Sequence, residues 1–317
     1  MTPALRARRL FHAVEAHQGA DVFLAVVEPW LDEHTDAVRE ALAPLAAFGE
    51  WERTRYERGD PLETAYALSR VSDALIYKFQ PLLPPGSDIP WAHDIHEPES
   101  WPQITRDQYL AAFARLGMAP IGDVAFEPFF HEVVHVEQDE HPEAPVEITG
   151  TVWPGLMFGE MLFSRTGVTV RAGARHLVEG IADRSPLHEV FVRRNRETFD
   201  GSLAWGSNSQ WNTSFRRDYL TDAAYHFAVD EDPDPDRSFF GGPRKLTPAE
   251  RSDLVRYRCL TRPLQDPDAW NSACPGGRLT LPRPAETPSP AYDGASTSPT
   301  ARDSPRSPEP ATARPTA

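Results

Sequence analysis

The sequence predicts an α+β fold, with a helical N-terminal layer packed on a small, largely antiparallel sheet. Three observations carry this reading. Apolar residues recur at three- and four-residue spacing through the first 120 residues. β-branched residues in short runs take over after Pro120, and capped helical segments return behind them. With 317 residues and 40% hydrophobic content the chain can bury a sizeable core. The expected layout is one domain over 1–282, with a mainly helical part at 1–120, a β-rich part holding the candidate site at 121–240, and a C-terminal helix and extended segment at 241–282. Residues 283–317 form a separate tail.

The first element carries Arg8-Arg9-Leu10-Phe11, which resembles the core of a twin-arginine export signal. Glu15, His17 and Asp21 interrupt the apolar stretch such a signal needs, so the segment reads as a basic first turn on an amphipathic helix. Val38, Leu42 and Leu45 mark a second helix, kinked or split at Pro44. In DPLETAYALSRVSDALIYKF, Asp60 can cap, Pro61 takes the first helical position and Glu63 completes a capping box. Leu62, Tyr66, Leu68, Val71, Leu75 and Phe79 form its buried face. In TRDQYLAAFARLG, Thr105 and Gln108 form the box, Tyr109, Phe113 and Leu116 the stripe, and Gly117 the stop.

Beyond Pro120, Val133, Val134 and Val136 precede the turn-rich DEHPEAP, and VEITGTVW follows; two β-rich runs so joined read as a hairpin. Gly167–Gly173 is a third strand. Ser185-Pro186 and Thr247-Pro248, the latter with Glu250, are expected to start two further helices. The last 35 residues hold eight prolines and one aromatic residue, too little apolar surface to offset chain entropy, so disorder is expected from Arg283 on.

The formal charge of −15 lies wholly in 1–282, because the tail carries four basic and four acidic side chains. Such a body repels phosphate backbones and anionic lipid, which argues against nucleic-acid and membrane partners. No apolar run reaches the ~18 residues of a spanning helix. The two cysteines, Cys259 and Cys274, do not make a disulfide framework, and a cytosolic setting is expected.

The segment FFHEVVHVEQDEH places His131, Glu132, His135 and His141 in the frame HExxHxxQxxH. This resembles the metzincin signature of zinc endopeptidases, with Met157 downstream where that family has a methionine turn. The resemblance implies zinc held by His131, His135 and His141, with Glu132 activating water for peptide-bond hydrolysis. The frame has Gln138 where the family has glycine, and three valines in four positions fit a pleated strand better than a helix. On a strand, His131, Val133, His135 and Glu137 would share one face.

The densest polar chemistry is WGSNSQWNTSFRRDY. Trp205 and Trp211 alternate there with Asn208 and Gln210, as in pockets that orient a ligand among aromatics. Arg216 and Arg217 follow, and Arg193, Arg194 and Arg196 lie just upstream. Arginine's planar fork suits carboxylate and phosphate. The same arginines could instead pair with Asp200 or Asp218, or favour a helix C-terminus. Two further acidic or His-bearing stretches read as loops: His93, Asp94, His96 and Glu97 in one, Asp230–Asp236 in the other.

The leading expectation is a cytosolic protein, enzyme or not, that binds a small polar or anionic ligand. Its site would be built from Arg194, Trp205, Asn208, Gln210, Trp211, Arg216 and Arg217, without metal or cofactor. One alternative is a zinc-dependent hydrolase at His131, His135 and His141 with Glu132 as base. The other is a non-catalytic interaction protein.

Overall fold

The computed structural model describes residues 1–50, 60–81, 101–190, 196, 211, 215–232, 246–267, 269 and 277–284. Among them are five α-helices. Helix α1, Pro3–Ala16, is capped by Thr2 and has Pro3 in its first turn; it buries Ala7, Leu10, Phe11 and Val14 while Arg8 and Arg9 stay exposed. Helix α2, Glu28–Leu42, is entered through a π-helical turn at Phe23–Val27 and left through a 3-10 turn at Ala43–Leu45. Pro44 lies in that last turn, where its missing N–H breaks the α-helical ladder.

Helix α3, Asp60–Leu75, is buried almost all round, including Thr64, Arg70, Ser72 and Asp73. It packs against α1 and α2, and the Ser72 and Tyr109 hydroxyls lie 2.8 Å apart. Tyr109 belongs to α4, Arg106–Arg115, where Thr105 and Gln108 form both bonds of the capping box and Gly117 takes φ +89° just past the end. Arg106 at the start of α4 donates to the Thr151 and Val152 carbonyls at 2.8 and 2.7 Å, tying the helical layer to the strands. Helix α5, Pro248–Tyr257, shows the expected Thr247–Glu250 box and ends at Arg258 in the left-handed conformation.

The strands are β1 Ala119–Pro120, β2 His131–Gln138, β3 Glu147–Trp153, β4 Leu156–Phe158, β5 Met161–Ser164, β6 Thr166–Ala172, β7 Tyr219–Leu220, β8 Ala224–Phe227 and β9 Leu279–Pro282. They make two sheets. One is six-stranded and antiparallel throughout, in the order β1-β4-β5-β7-β8-β9; the other is three-stranded, β2-β6-β3.

Strand alternation divides the large sheet between two cores. Leu156, Phe158, Met161, Phe163 and Tyr219 join the helical core, while Met157, Leu162 and Leu220 join Phe129, Phe130, Tyr225 and Phe227 on the other side. The fold is therefore α+β, with its helical layer on a largely antiparallel sheet.

Two local expectations are corrected. Strands β2 and β3 do not form a hairpin: both pair with β6, β2 in parallel and β3 antiparallel. The valine-rich β6 takes the central place because Val168 and Val170 can pack with Val133 and Val136 of β2 in one apolar cluster. Residues 185–190 are not helical either. The Ser185 hydroxyl, which would cap such a helix, instead accepts from Leu260 N–H at 2.9 Å, and His188 N–H donates to the Arg258 carbonyl at 2.8 Å.

Among the described residues no helix is long and apolar enough to cross a membrane. The last strand ends at Pro282, and Arg283 N–H still bonds the Ala223 carbonyl at 2.9 Å. The expectation of a disordered tail falls on residues almost wholly outside those described.

The β4–β5 turn sits against the helical layer. Gly159 has φ +57°, and a Cβ there would clash with the Ala46 carbonyl oxygen, the same oxygen that accepts from Glu160 N–H at 2.7 Å. Gly159→Ala should lower unfolding free energy by about 2–4 kcal/mol, since left-handed strain and a backbone clash act together. Urea denaturation of the variant checks this; a loss below about 1 kcal/mol would mean that the turn relaxes.

Candidate functional site

Segment 131–138 is a strand, and its geometry separates the histidines. The register shifts by one residue between Val133 and His135, so a bulge at Val134 resets the alternation. Val133 and Val136 then share the buried face, whereas His135 is 55% exposed. The shared face expected for His131 and His135 is thus broken. His135 Nδ1 lies 3.4 Å from Asp183 Oδ2, and His141 is exposed beyond the strand end. Gln138, in the frame's glycine position, donates through Nε2 to the Ala172 carbonyl at 2.6 Å and accepts from Glu179 N–H at 3.1 Å. Met157 is buried in β4. Among the described residues no three His, Cys, Asp or Glu side chains converge as a metal site requires.

His131 and Glu132 are both buried. His131 is buried, stacked on Phe126 with ring centroids 5.6 Å apart, and its Nδ1 lies 3.0 Å from both the N–H and the carbonyl oxygen of Glu127. Burial lowers its pKa to about 4, and the nearby Arg165 charge acts in the same direction, so the ring is neutral at pH 7. Burial also pushes the Glu127 carboxyl up, with Arg256 partly opposing.

Arg165, at the junction of β5 and β6, links this histidine to the arginine-rich segment. Asp218 is fully buried and accepts from Arg216 Nε and Arg258 Nη2, each at 2.9 Å, and from Ala228 N–H at 2.7 Å. Arg165 Nη2 stands 3.9 Å from the same carboxylate. Burial alone would raise the Asp218 pKa; the charges of Arg216, Arg258 and Arg165 outweigh it and hold the carboxyl well below its usual range.

Two of these arginines also close the end of α5. Arg216 Nη2 donates to the Val255 carbonyl at 2.8 Å and Arg165 Nη2 to the Arg256 carbonyl at 2.7 Å, where the helix dipole favours cations. Arg165 Nε and Nη1 are buried without a hydrogen-bond partner among the described residues. Cys259 is buried in the same region, and its thiol pKa is pushed up by that burial, which disfavours a nucleophilic thiolate.

Arg217 is wholly buried and grips Asp230 with two donors, Nε to Oδ2 at 2.7 Å and Nη2 to Oδ1. Arg196 donates to the backbone carbonyls of Ser185, Val133 and Ala182 at 2.9, 2.8 and 2.5 Å. Arg194, Trp205, Asn208 and Gln210 lie outside the described residues, as do His93, Asp94, His96 and Glu97.

Trp211, from the same segment, lies elsewhere, on α1 and α3. The Arg70 guanidinium sits 3.8 Å and that of Arg8 4.7 Å from its ring centroid, with Phe11 edge-on at 5.3 Å and His12 at 5.5 Å. Partial burial, then the charges of Arg8 and Arg70, lower the His12 pKa. Arg70 is buried and feels Glu15, whereas Arg8 is exposed and has no carboxylate partner among the described residues.

The predicted segment therefore divides: Arg216 and Arg217 join acidic partners in the interior, and Trp211 joins two other arginines near the surface. Sequence reading missed Arg165, Arg258, Arg8 and Arg70 as members of these groups. Only Arg8 stands out in the sequence, as half of an Arg-Arg pair that reads as a basic first turn on an amphipathic helix. Compared with family models, curated proteins and solved structures, the chain matches none, so any assignment rests on these residues.

Proposed function

We propose that the chain is a cytoplasmic protein that binds a small anionic ligand, of the carboxylate or phosphate class, at the surface where Trp211 meets α1 and α3. The observation that carries this reading is the convergence of basic groups on one indole. Arg8 and Arg70 both stack on Trp211, and their charges act against protonation of His12 beside them. Like charges held together gain most from an anion that neutralises them. Stacking on the indole leaves the edge of the exposed Arg8 guanidinium for bidentate bonding to an oxyanion, with the buried Arg70 charge behind it. The acidity of the rest of the chain, −15 overall, favours a small anion over a polyanion and supports the absence of nucleic-acid and membrane partners.

The test is a titration with phosphate, sulfate and citrate. A bound anion should raise the melting temperature and move the His12 ring pKa upward, read by NMR, because it offsets the two arginine charges. Arg8→Ala should weaken binding by about tenfold without loss of fold, since Arg8 is exposed. If no anion shifts the His12 titration, or if Arg8→Ala binds as the wild type does, the reading fails.

A further inference from the structure

The opposite side of α1 carries a second arrangement. Between α1 and α2 lies a groove of about 370 Å³ whose walls include Leu10, Ala13, Val26 and the half-buried Trp30. Arg6 and Arg9 open onto it from α1, one helical turn apart on the same side. The volume falls near the lower end of the ~300–1,000 Å³ range of small-molecule sites. It suits a single ring with a short acidic chain and is too small for a dinucleotide.

The walls of the groove are held in place. The Trp30 indole N–H donates to the Arg6 carbonyl at 3.2 Å, which fixes the indole against α1. His34 meets Trp30 edge-on, with ring centroids 5.3 Å apart, and Arg6 Nη1 reaches His34 Nδ1 at 3.5 Å. A guanidinium only donates, so in that contact the histidine nitrogen is the acceptor. Glu33 Oε1 lies 3.8 Å from His34 Nε2. Neither Arg6 nor Arg9 forms an ion pair with a carboxylate among the described residues.

We infer that this groove is a binding site for a small amphipathic carboxylate, an aromatic or branched acid. Its apolar part would lie on Trp30, Leu10 and Val26, and its carboxylate would meet Arg6 and Arg9. The chemistry is complementary on both counts. An inorganic anion would leave the apolar walls wet, and a neutral ring would leave the Arg6 and Arg9 charges without a carboxylate. The site goes beyond the anion surface at Trp211, because it uses other residues of α1 and requires an apolar body in its ligand.

The experiment uses the full chain and 4-phenylbutyrate as probe, followed by calorimetry and by ligand-observed NMR. Two comparison probes remove one feature each: 4-phenylbutanol lacks the charge and butyrate lacks the ring. The expected result is saturable binding of phenylbutyrate, with each comparison probe weaker by about tenfold or more. Arg9→Ala, an exposed position that leaves the fold intact, should weaken phenylbutyrate by about tenfold. Ala13→Trp, which fills the groove and touches no charge, should abolish binding. In an Arg8→Ala background, which weakens any carboxylate held at the Trp211 surface, the losses from Arg9→Ala and Ala13→Trp should persist, which separates the two sites. Equal binding of phenylbutyrate by the wild type, Arg9→Ala and Ala13→Trp would overturn the inference, as would no saturable binding to the wild type.

Discussion

Asp218→Asn should destabilise the protein by about 3–5 kcal/mol, the range for breaking a buried ionic group by removing one partner. The substitution changes the shape of the side chain little and its charge completely. Asp218 is fully buried, and it is the carboxylate shared by Arg216, Arg258 and, at longer range, Arg165. An asparagine would retain one acceptor oxygen and bring an NH2 group against guanidinium donors. The three cations would then stay in a low-dielectric interior with less compensation, and Arg165 already has two nitrogens without partners there. Since whole domains are stable by only about 5–15 kcal/mol, the loss should be plain in a urea melt. Asp230→Asn gives the internal comparison. Asp230 is 33% exposed and pairs with Arg217, so solvent reaches the carboxylate end of that pair and the loss should be smaller. Equal losses at the two positions, or a loss below about 1 kcal/mol for Asp218→Asn, would show that the three arginines do not depend on this carboxylate.

The dependence of the fold on that cluster explains what could be read from the sequence and what could not. Helix ends were legible because their causes are local. Thr105 with Gln108 and Thr247 with Glu250 satisfy N–H groups three residues away, and Gly117 supplies a left-handed stop in the next turn. The strand character of 131–138 was legible too, since β-branched side chains state it position by position.

Strand partners were not legible. Whether β2 pairs with β3 or with β6 depends on which apolar faces meet after a long stretch of intervening chain, and the turn-rich DEHPEAP offered a misleading local answer. The Ser185 helix failed for the same reason: its hydroxyl had a more distant partner in Leu260 N–H. For the candidate site, the sequence picked out Arg216 and Arg217 by density. It also offered Asp218, two residues from Arg216, as a pairing partner, but it could not show that Asp230 and the end of α5 would join them, because those contacts come from separate elements. The bulge at Val134 is likewise invisible to a period-two count, yet it decides that His131 lies inside and His135 outside.

That buried position gives His131 a measurable influence on acid stability. Its ring titrates at about 4 in the folded protein against an ordinary value of 6.5, so the unfolded chain takes up the proton first as pH falls. The stabilising contribution is present above about pH 6.5, declines between 6.5 and 4, and has no further to fall once both states are protonated. Integrated over that window it amounts to about 3 kcal/mol. Other groups act in the same range. Lowered pKa values at His12 and His226 add to the loss, while the raised pKa of Glu127 opposes it, since a carboxyl that prefers to be neutral gains stability as pH falls. Asp218 is separate: its depressed pKa matters only below the ordinary aspartate value of 3.8. The wild-type curve alone therefore cannot isolate His131, but a variant can. In His131→Asn the amide oxygen can still accept from Glu127 N–H, and the titrating ring is gone. The variant should be less stable at pH 7.5, because the stack on Phe126 is lost. Its deficit against the wild type should shrink by about 3 kcal/mol as the pH is lowered to 4. Urea unfolding of both proteins at half-unit steps measures that difference, and a deficit constant across the window would mean that His131 titrates alike in the folded and unfolded chains.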